Sequence, residues 1–366
     1  MPESRLHEVA ARGQSVWFDT LSRDLVASGE LARMMQDDAV TGVTSNPTIF
    51  QKALAQGNAY DEQITALYAE TDDAEQIFFA LALDDIRAAC DVLSPVHDAS
   101  PWDGYVSMEV LPSLAYDTEA TFTQARWIAK EVDRPNLLVK IPATQAGLPA
   151  IEDCIAHGTS INITLIFSLD RYRAVVEAYL RGLERLVAGG GDPSKVSSVA
   201  SFFVSRVDTE ADKRLEALGN TALQGKLANA NAKLAYEHFL ATFQGERWEY
   251  LEGKGAQLQR PLWASTSTKN PAYRDVMYVE ELIGPDTVNT MPLETIEAFQ
   301  DHGEVRGDTV TEGLGEAHAL LAELATAGVD YDDVTETLEA EGVQKFADSF
   351  TELLDGVPAK RQTVAA

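Results

Sequence analysis

Lys140 interrupts the apolar run Asn136-Leu-Leu-Val-Lys-Ile-Pro-Ala-Thr144, which Pro135 and Pro142 bound. A run of that length and composition predicts a buried parallel strand. An ammonium is costly in such a place, because burial disfavours the charged form of an amine. A neutral amine, by contrast, attacks a carbonyl and forms a Schiff base. The bland alternative is a strand-end lysine whose head snorkels to water. The other residues at strand ends decide between the two.

Those residues are Asp19, Thr44, Asn46, Glu109, Asn162, Thr164, Ser201, Arg206, Ser265, Lys269 and Asn289. Each alone has a packing role: Asp19 as a helix cap, Asn46 in an Asx turn before Pro47, Thr164 as an ordinary strand residue. With Lys140 they form a ring of two lysines, one arginine, two carboxylates and several amides and hydroxyls, and buried polar groups need partners. Asp19 or Glu109 can shuttle protons as an amine adds to a ketone and water leaves. Thr164 can hold that water. Asn46 and Asn162 suit hydroxyl recognition, which indicates a polyhydroxylated carbonyl compound. Arg206 and Lys269 lie just beyond late strands and suit a phosphate. No metal or other cofactor is expected. The histidines, at 7, 97, 157, 238, 302 and 318, are scattered and none pairs at ligand spacing. No Gly-x-Ser-x-Gly elbow or P-loop is present.

The ring requires elements that converge. Strand-like segments alternate with helical patterns: Ser15–Thr20, Val40–Asn46, Tyr105–Leu111, Asn136–Thr144, Ser160–Phe167, Val196–Val204, Pro261–Ser265 and Thr287–Thr290. Helices are expected over about 21–36, to about 70, about 74–93, 117–132, 145–157, 169–187, 208–218 and 221–243. Residues 97–104 read as turn-rich. Alternation predicts parallel strands, and eight of them close a (β/α)8 TIM barrel with the active site at the strand C-terminal ends. A doubly wound open sheet is the rival, weakened because no Gly-x-Gly-x-x-Gly follows the first strand. The chain is expected to be a single α/β barrel domain over 1–366, with 311–357 as extra helices packed on it. Leu314, His318, Leu321 and Leu324 would share one face, and the tail from Pro358 would fray.

Composition bounds the partners. The chain has 366 residues, 58 acidic against 29 basic, for a formal net charge of −29. That balance argues against nucleic acid and anionic membrane surfaces. An anionic substrate would need a local gathering of cations. Cys90 and Cys154 read as reduced core thiols. With no apolar run of membrane-spanning length and no leader-like N-terminus, a cytoplasmic location is expected. A homo-oligomer remains open.

Seven blocks, in order across about residues 15–292, resemble the transaldolase family. They are Trp17-Phe-Asp-Thr20, Gly42-Val-Thr-Ser-Asn-Pro-Thr-Ile-Phe50, Val106-Ser-Met-Glu-Val110, Leu138-Val-Lys-Ile-Pro-Ala-Thr144, Ile161-Asn-Ile-Thr-Leu-Ile-Phe-Ser168, Ala200-Ser-Phe-Phe-Val-Ser-Arg206 and Trp263-Ala-Ser-Thr-Ser-Thr-Lys-Asn-Pro271. The variant is similar to the longer bacterial, actinobacterial branch. The resemblance implies a class I aldolase barrel of the pentose phosphate pathway. It would move a dihydroxyacetone unit from sedoheptulose 7-phosphate or fructose 6-phosphate to glyceraldehyde 3-phosphate or erythrose 4-phosphate. It implies Lys140 as the Schiff-base lysine and Asp19 as the acid/base at the C4 hydroxyl. Glu109 and Thr164 would hold the catalytic water. Asn46, Asn162 and Ser201 would contact dihydroxyacetone, and Arg206 and Ser265 the phosphate. Many relatives place an arginine two residues after the serine matching Ser265; here the available base is Lys269. Two alternatives stand beside this reading. One is a fructose 6-phosphate aldolase releasing free dihydroxyacetone, although those relatives are much shorter and use a tyrosine in place of the carboxylate. The other is a barrel that binds sugar phosphates without turnover.

Overall fold

A computed structural model describes residues 4–364; of the expected domain, residues 1–3 and 365–366 lie outside it. Eight parallel strands close into a barrel in sequence order. They are β1 (Gln14–Phe18), β2 (Val40–Thr44), β3 (Tyr105–Glu109), β4 (Leu137–Pro142), β5 (Ile161–Ile166), β6 (Ser198–Phe203), β7 (Gln259–Ala264) and β8 (Thr287–Met291). Every residue of β4 to β8 is buried, because helices cover one face and the barrel interior the other. That double burial is why these strands read as apolar runs and why polar residues within them stand out. Pairing of β1 with β8 closes the sheet and excludes the open one.

The helices depart from expectation at four places. The expected helix over 21–36 is two, Arg23–Ala27 and Glu30–Asp37, broken where Gly29 takes φ +79°. Residues 97–99 are not a turn: the helix Ala74–Ala99 continues through Pro95 and includes His97. Proline removes the N–H that would bond Asp91, and the Ser94 hydroxyl donates to the Asp91 carbonyl instead, at 3.0 Å. The helix expected from 221 starts at Leu227, and a short one, Glu246–Glu252, follows it. The chain beyond Pro358 does not fray: one helix runs from Tyr331 to Val364.

Three helices follow β8: Leu293–His302, Leu314–Ala327 and Tyr331–Val364. Leu314–Ala327 packs on Leu227–Thr242. Its buried face is Ala317, Leu320 and Leu324, while His318 points outward to Glu237 at 2.8 Å. The last helix, Tyr331–Val364, rests on the helices Pro47–Ala55, Asp61–Leu67, Ala74–Ala99 and Ser205–Ala217 and touches β5. It is fastened along its length. Glu339 pairs with Arg171 at 3.1 Å, Ser349 bonds Thr48 at 2.7 Å, and Phe350 meets the edge of Phe78 at 5.3 Å. Gly342 makes the close approach: a Cβ there would lie 3.0 Å from the Leu165 side chain. The helix therefore lies across the end of the barrel where the strands terminate.

Candidate active site

Register places the reactive layer. Glu109 of β3 stands opposite Lys140 of β4, and Lys140 opposite Asn162 of β5. Alternation along a strand then carries Ser107 and Thr164 to the same interior face. The Lys140 side chain is 7% exposed, and its Nζ lies 3.6 Å from Glu109 Oε2. Nζ also donates to the Ser45 carbonyl at 3.0 Å, just past the end of β2. Neither oxygen of Glu109 accepts a hydrogen bond from another described residue. Burial pushes the Glu109 carboxyl up to about 7, against the opposing pull of Lys140. Such a carboxyl exchanges a proton readily near neutral pH.

Asp19 follows β1 and enters the same cleft. Thr44 donates to its Oδ1 at 2.6 Å, and Thr44 is itself 2.7 Å from the Thr290 hydroxyl. Burial raises the Asp19 pKa, while the Thr44 hydrogen bond and Lys140 oppose the rise. The arrangement orients one carboxylate oxygen and leaves the other free for a substrate hydroxyl. Thr164 Oγ1 is buried without a hydrogen-bond partner among the described residues. The ladder to β6 slips between Ile163 and Ile166, and Leu165 takes φ +59°. A bulge of this kind re-aims its neighbour, here Thr164, and strained backbone of this sort gathers at active sites.

Lys140, Asp19, Thr164, Asn46, Ser201, Arg206, Ser265 and Lys269 line one cleft of about 460 Å³. Asn46 also serves the fold, since its Oδ1 caps the helix Pro47–Ala55 by accepting from Ile49 N at 3.0 Å. Only its NH2 remains for a ligand. Asn162 stands behind the cleft surface. It donates to Ser107 Oγ at 3.0 Å and accepts from Ser201 Oγ at 2.6 Å. Glu109 also lies behind the lining, reaching it through Lys140. Asn289 is buried away from the cleft and accepts from Thr266 at 2.9 Å.

The outer cleft is cationic. Arg206, near the start of Ser205–Ala217, packs 5.4 Å from the Phe203 ring centre. Ser265 holds φ +57° with its hydroxyl 2.9 Å from that of Ser205. Lys269 donates to Ser267 at 2.6 Å. Sequence reasoning missed Lys52 and Lys345, which line the same cleft. Lys52 lies in the helix that Asn46 caps, and Lys345 is the sole cation between Tyr331 and Val357. Only that isolation in an acidic helix could have flagged it. Among the described residues, no group of three or more His, Cys, Asp or Glu is placed to hold a metal ion. No helix among them is long and apolar enough to cross a membrane.

A closed parallel barrel with a buried lysine beside a carboxyl group at its strand ends defines a class: an aldolase-type (β/α)8 barrel. The model of the transaldolase/fructose-6-phosphate aldolase family matches residues 16–357, and the chain belongs to that family. It is 54% identical over 355 residues to a transaldolase of Mycolicibacterium paratuberculosis, covering 96% of this chain and 95% of that one. It is 53% identical over 356 residues to a transaldolase of a Parafrankia strain, covering 96% of each. A Streptomyces avermitilis protein named transaldolase 2 is 51% identical over 364 residues, covering 98% of each.

Proposed function

We propose that this chain transfers a dihydroxyacetone unit between sugar phosphates through a Schiff base on Lys140. The donor would be sedoheptulose 7-phosphate or fructose 6-phosphate, and the acceptor glyceraldehyde 3-phosphate or erythrose 4-phosphate. The observation that carries the reading is the Lys140 amine held 3.6 Å from Glu109 at the floor of a cleft that Asp19 also enters. The amine adds to the ketone at C2 and the carbinolamine loses water, with Glu109 moving the protons and Thr164 holding the water. Asp19 takes the C4 hydroxyl proton as the C3–C4 bond breaks, and the aldose leaves. The three-carbon enamine stays on Lys140 until an aldehyde arrives. Asn46 and Ser201 hold its hydroxyls, and Asn162 holds Ser201 in place. Arg206, Ser265 and Lys269 take the phosphate.

The last helix favours transfer over release. It covers one side of the cleft with Lys345 and Phe346, which limits the water that could hydrolyse the enamine. Two carboxylates in place of a tyrosine also distinguish the site from that of a fructose 6-phosphate aldolase. The test is partition. Fructose 6-phosphate with erythrose 4-phosphate is expected to give sedoheptulose 7-phosphate with ping-pong kinetics and little free dihydroxyacetone. Release of dihydroxyacetone at a rate matching transfer would establish the aldolase instead.

A further inference from the structure

Four cations face the outer half of the cleft: Arg206, Lys269, Lys52 and Lys345. Many cations elsewhere in the chain are paired closely, among them Arg171 with Glu339 at 3.1 Å, Arg247 with Glu177 at 2.7 Å and Arg274 with Glu280 at 2.8 Å. Among the described residues, these four have no carboxylate within 4 Å. In a chain with 58 acidic and 29 basic residues, partners are not scarce. Between Tyr331 and Val357 the last helix carries eight acids and one cation, and that cation is the residue turned into the cleft. Asp19, Glu294 and Glu341 are the carboxylates whose fields reach this group: Glu341 and Asp19 act on Arg206, and Glu294 and Asp19 on Lys269. The four like charges repel one another: Arg206 lowers the Lys345 pKa, and partial loss of water in the cleft adds to the effect. Gathering them costs folding stability, and an anion seated among them removes that cost.

We propose that Lys345 and Lys52 join Arg206 and Lys269 in the seat for the substrate phosphate. The last helix is thereby a substrate-binding element that selects phosphorylated over unphosphorylated sugars. The assignment of the sugar rests on the transfer reading above; the anion seat rests on the four cations themselves. Position supports it. Phe346, next to Lys345, lines the cleft, and Gly342, one turn earlier, sits against Leu165 beside Thr164. Ser349 bonds Thr48, one turn from Lys52 on the other helix. The two lysines are thus held on elements fastened to each other.

The test uses the full chain with Lys345→Gln, Lys52→Gln and Lys345→Arg. Calorimetry with inorganic phosphate reads the seat without turnover. Each glutamine variant is expected to bind phosphate about tenfold more weakly, as for loss of one charge-assisted hydrogen bond. The KM for fructose 6-phosphate should rise by a similar factor while kcat falls less than about twofold, and arginine at 345 should recover most of the loss. Lys345 is exposed, and thermal unfolding of each variant checks the fold. Unchanged phosphate affinity and KM in Lys345→Gln would overturn the proposal, as would no phosphate binding to the wild type. Failure of the wild type to form any adduct with fructose 6-phosphate would instead remove the transfer reading, and calorimetry would still decide the seat.

Discussion

The barrel holds an ion pair near each end, and the two are built in opposite ways. Near the strand starts, Asp103 pairs with Arg260 at 3.5 Å. Asp103 also accepts from Ser15 at 2.7 Å and from Trp17 and Thr41 at 3.0 Å each. Arg260 donates to Ser15 at 2.7 Å and to the Trp102 carbonyl. At the strand ends, Glu109 faces Lys140 at 3.6 Å with no hydrogen bond to either carboxylate oxygen. One pair is saturated and holds structure. The other is starved, and its protons are free to move. In a barrel of this class, stability lies at one face and chemistry at the other, and the hydrogen-bond inventory of each pair shows why.

The largest effect should come from the starved pair. Lys140→Ala is expected to lower transfer on the order of 10⁴-fold or more with the fold intact. Its stability cost should be small, because a Glu109 carboxyl already at about 7 takes up a proton when its partner is gone. Near-normal transfer in this variant would break the comparison. Glu109→Gln should cost roughly 10²- to 10⁴-fold in kcat, the range for losing a general acid/base.

The saturated pair should behave in the converse way. Asp103→Ala strands the Arg260 charge and should cost about 3 kcal/mol of stability, read by denaturant unfolding. Its kcat should be unchanged at temperatures where it is folded. A kcat loss matching that of Glu109→Gln would erase the distinction between the two ends.

The smallest effect is in pH dependence, and its two signs differ. The Glu109 carboxyl sits at about 7 in the folded chain, above its ordinary value of 4.5. The folded state therefore binds more protons between these values, and this group's contribution to stability is lost as pH rises through about 7. Activity should move the other way. Below about 7 the carboxyl is protonated and cannot accept the proton that the amine must lose, so log kcat/KM falls about one unit per pH unit. In Glu109→Gln both slopes should flatten. A wild-type acid limb that persists unaltered in the variant would assign it to another group.

Much of the starved end was legible in the sequence. Lys140, Glu109 and Thr164 interrupt strands that are apolar because both faces are covered, and the barrel rule sends strand-end residues to one mouth. Asn289 obeyed the same rule but turned to Thr266, since strand position does not fix what a side chain bonds. The saturated end was not legible. Arg260 lies one residue before the expected start of its strand and Asp103 in a loop, and only closure of the barrel brings them together. Lys52 and Lys345 were hidden for a related reason. Their direction depends on how helices dock, which helical periodicity leaves open. The helix expected to end at about 93 runs on to Ala99, since the Ser94 hydroxyl takes the Asp91 carbonyl that Pro95 cannot bond.

On the transfer reading, the Lys140 amine carries the three-carbon unit. Incubation with fructose 6-phosphate, reduction with borohydride and peptide mapping test it directly. One stable three-carbon adduct is expected, on Lys140, and it should disappear in Lys140→Ala; an adduct on another lysine, or none, would refute the role of this amine.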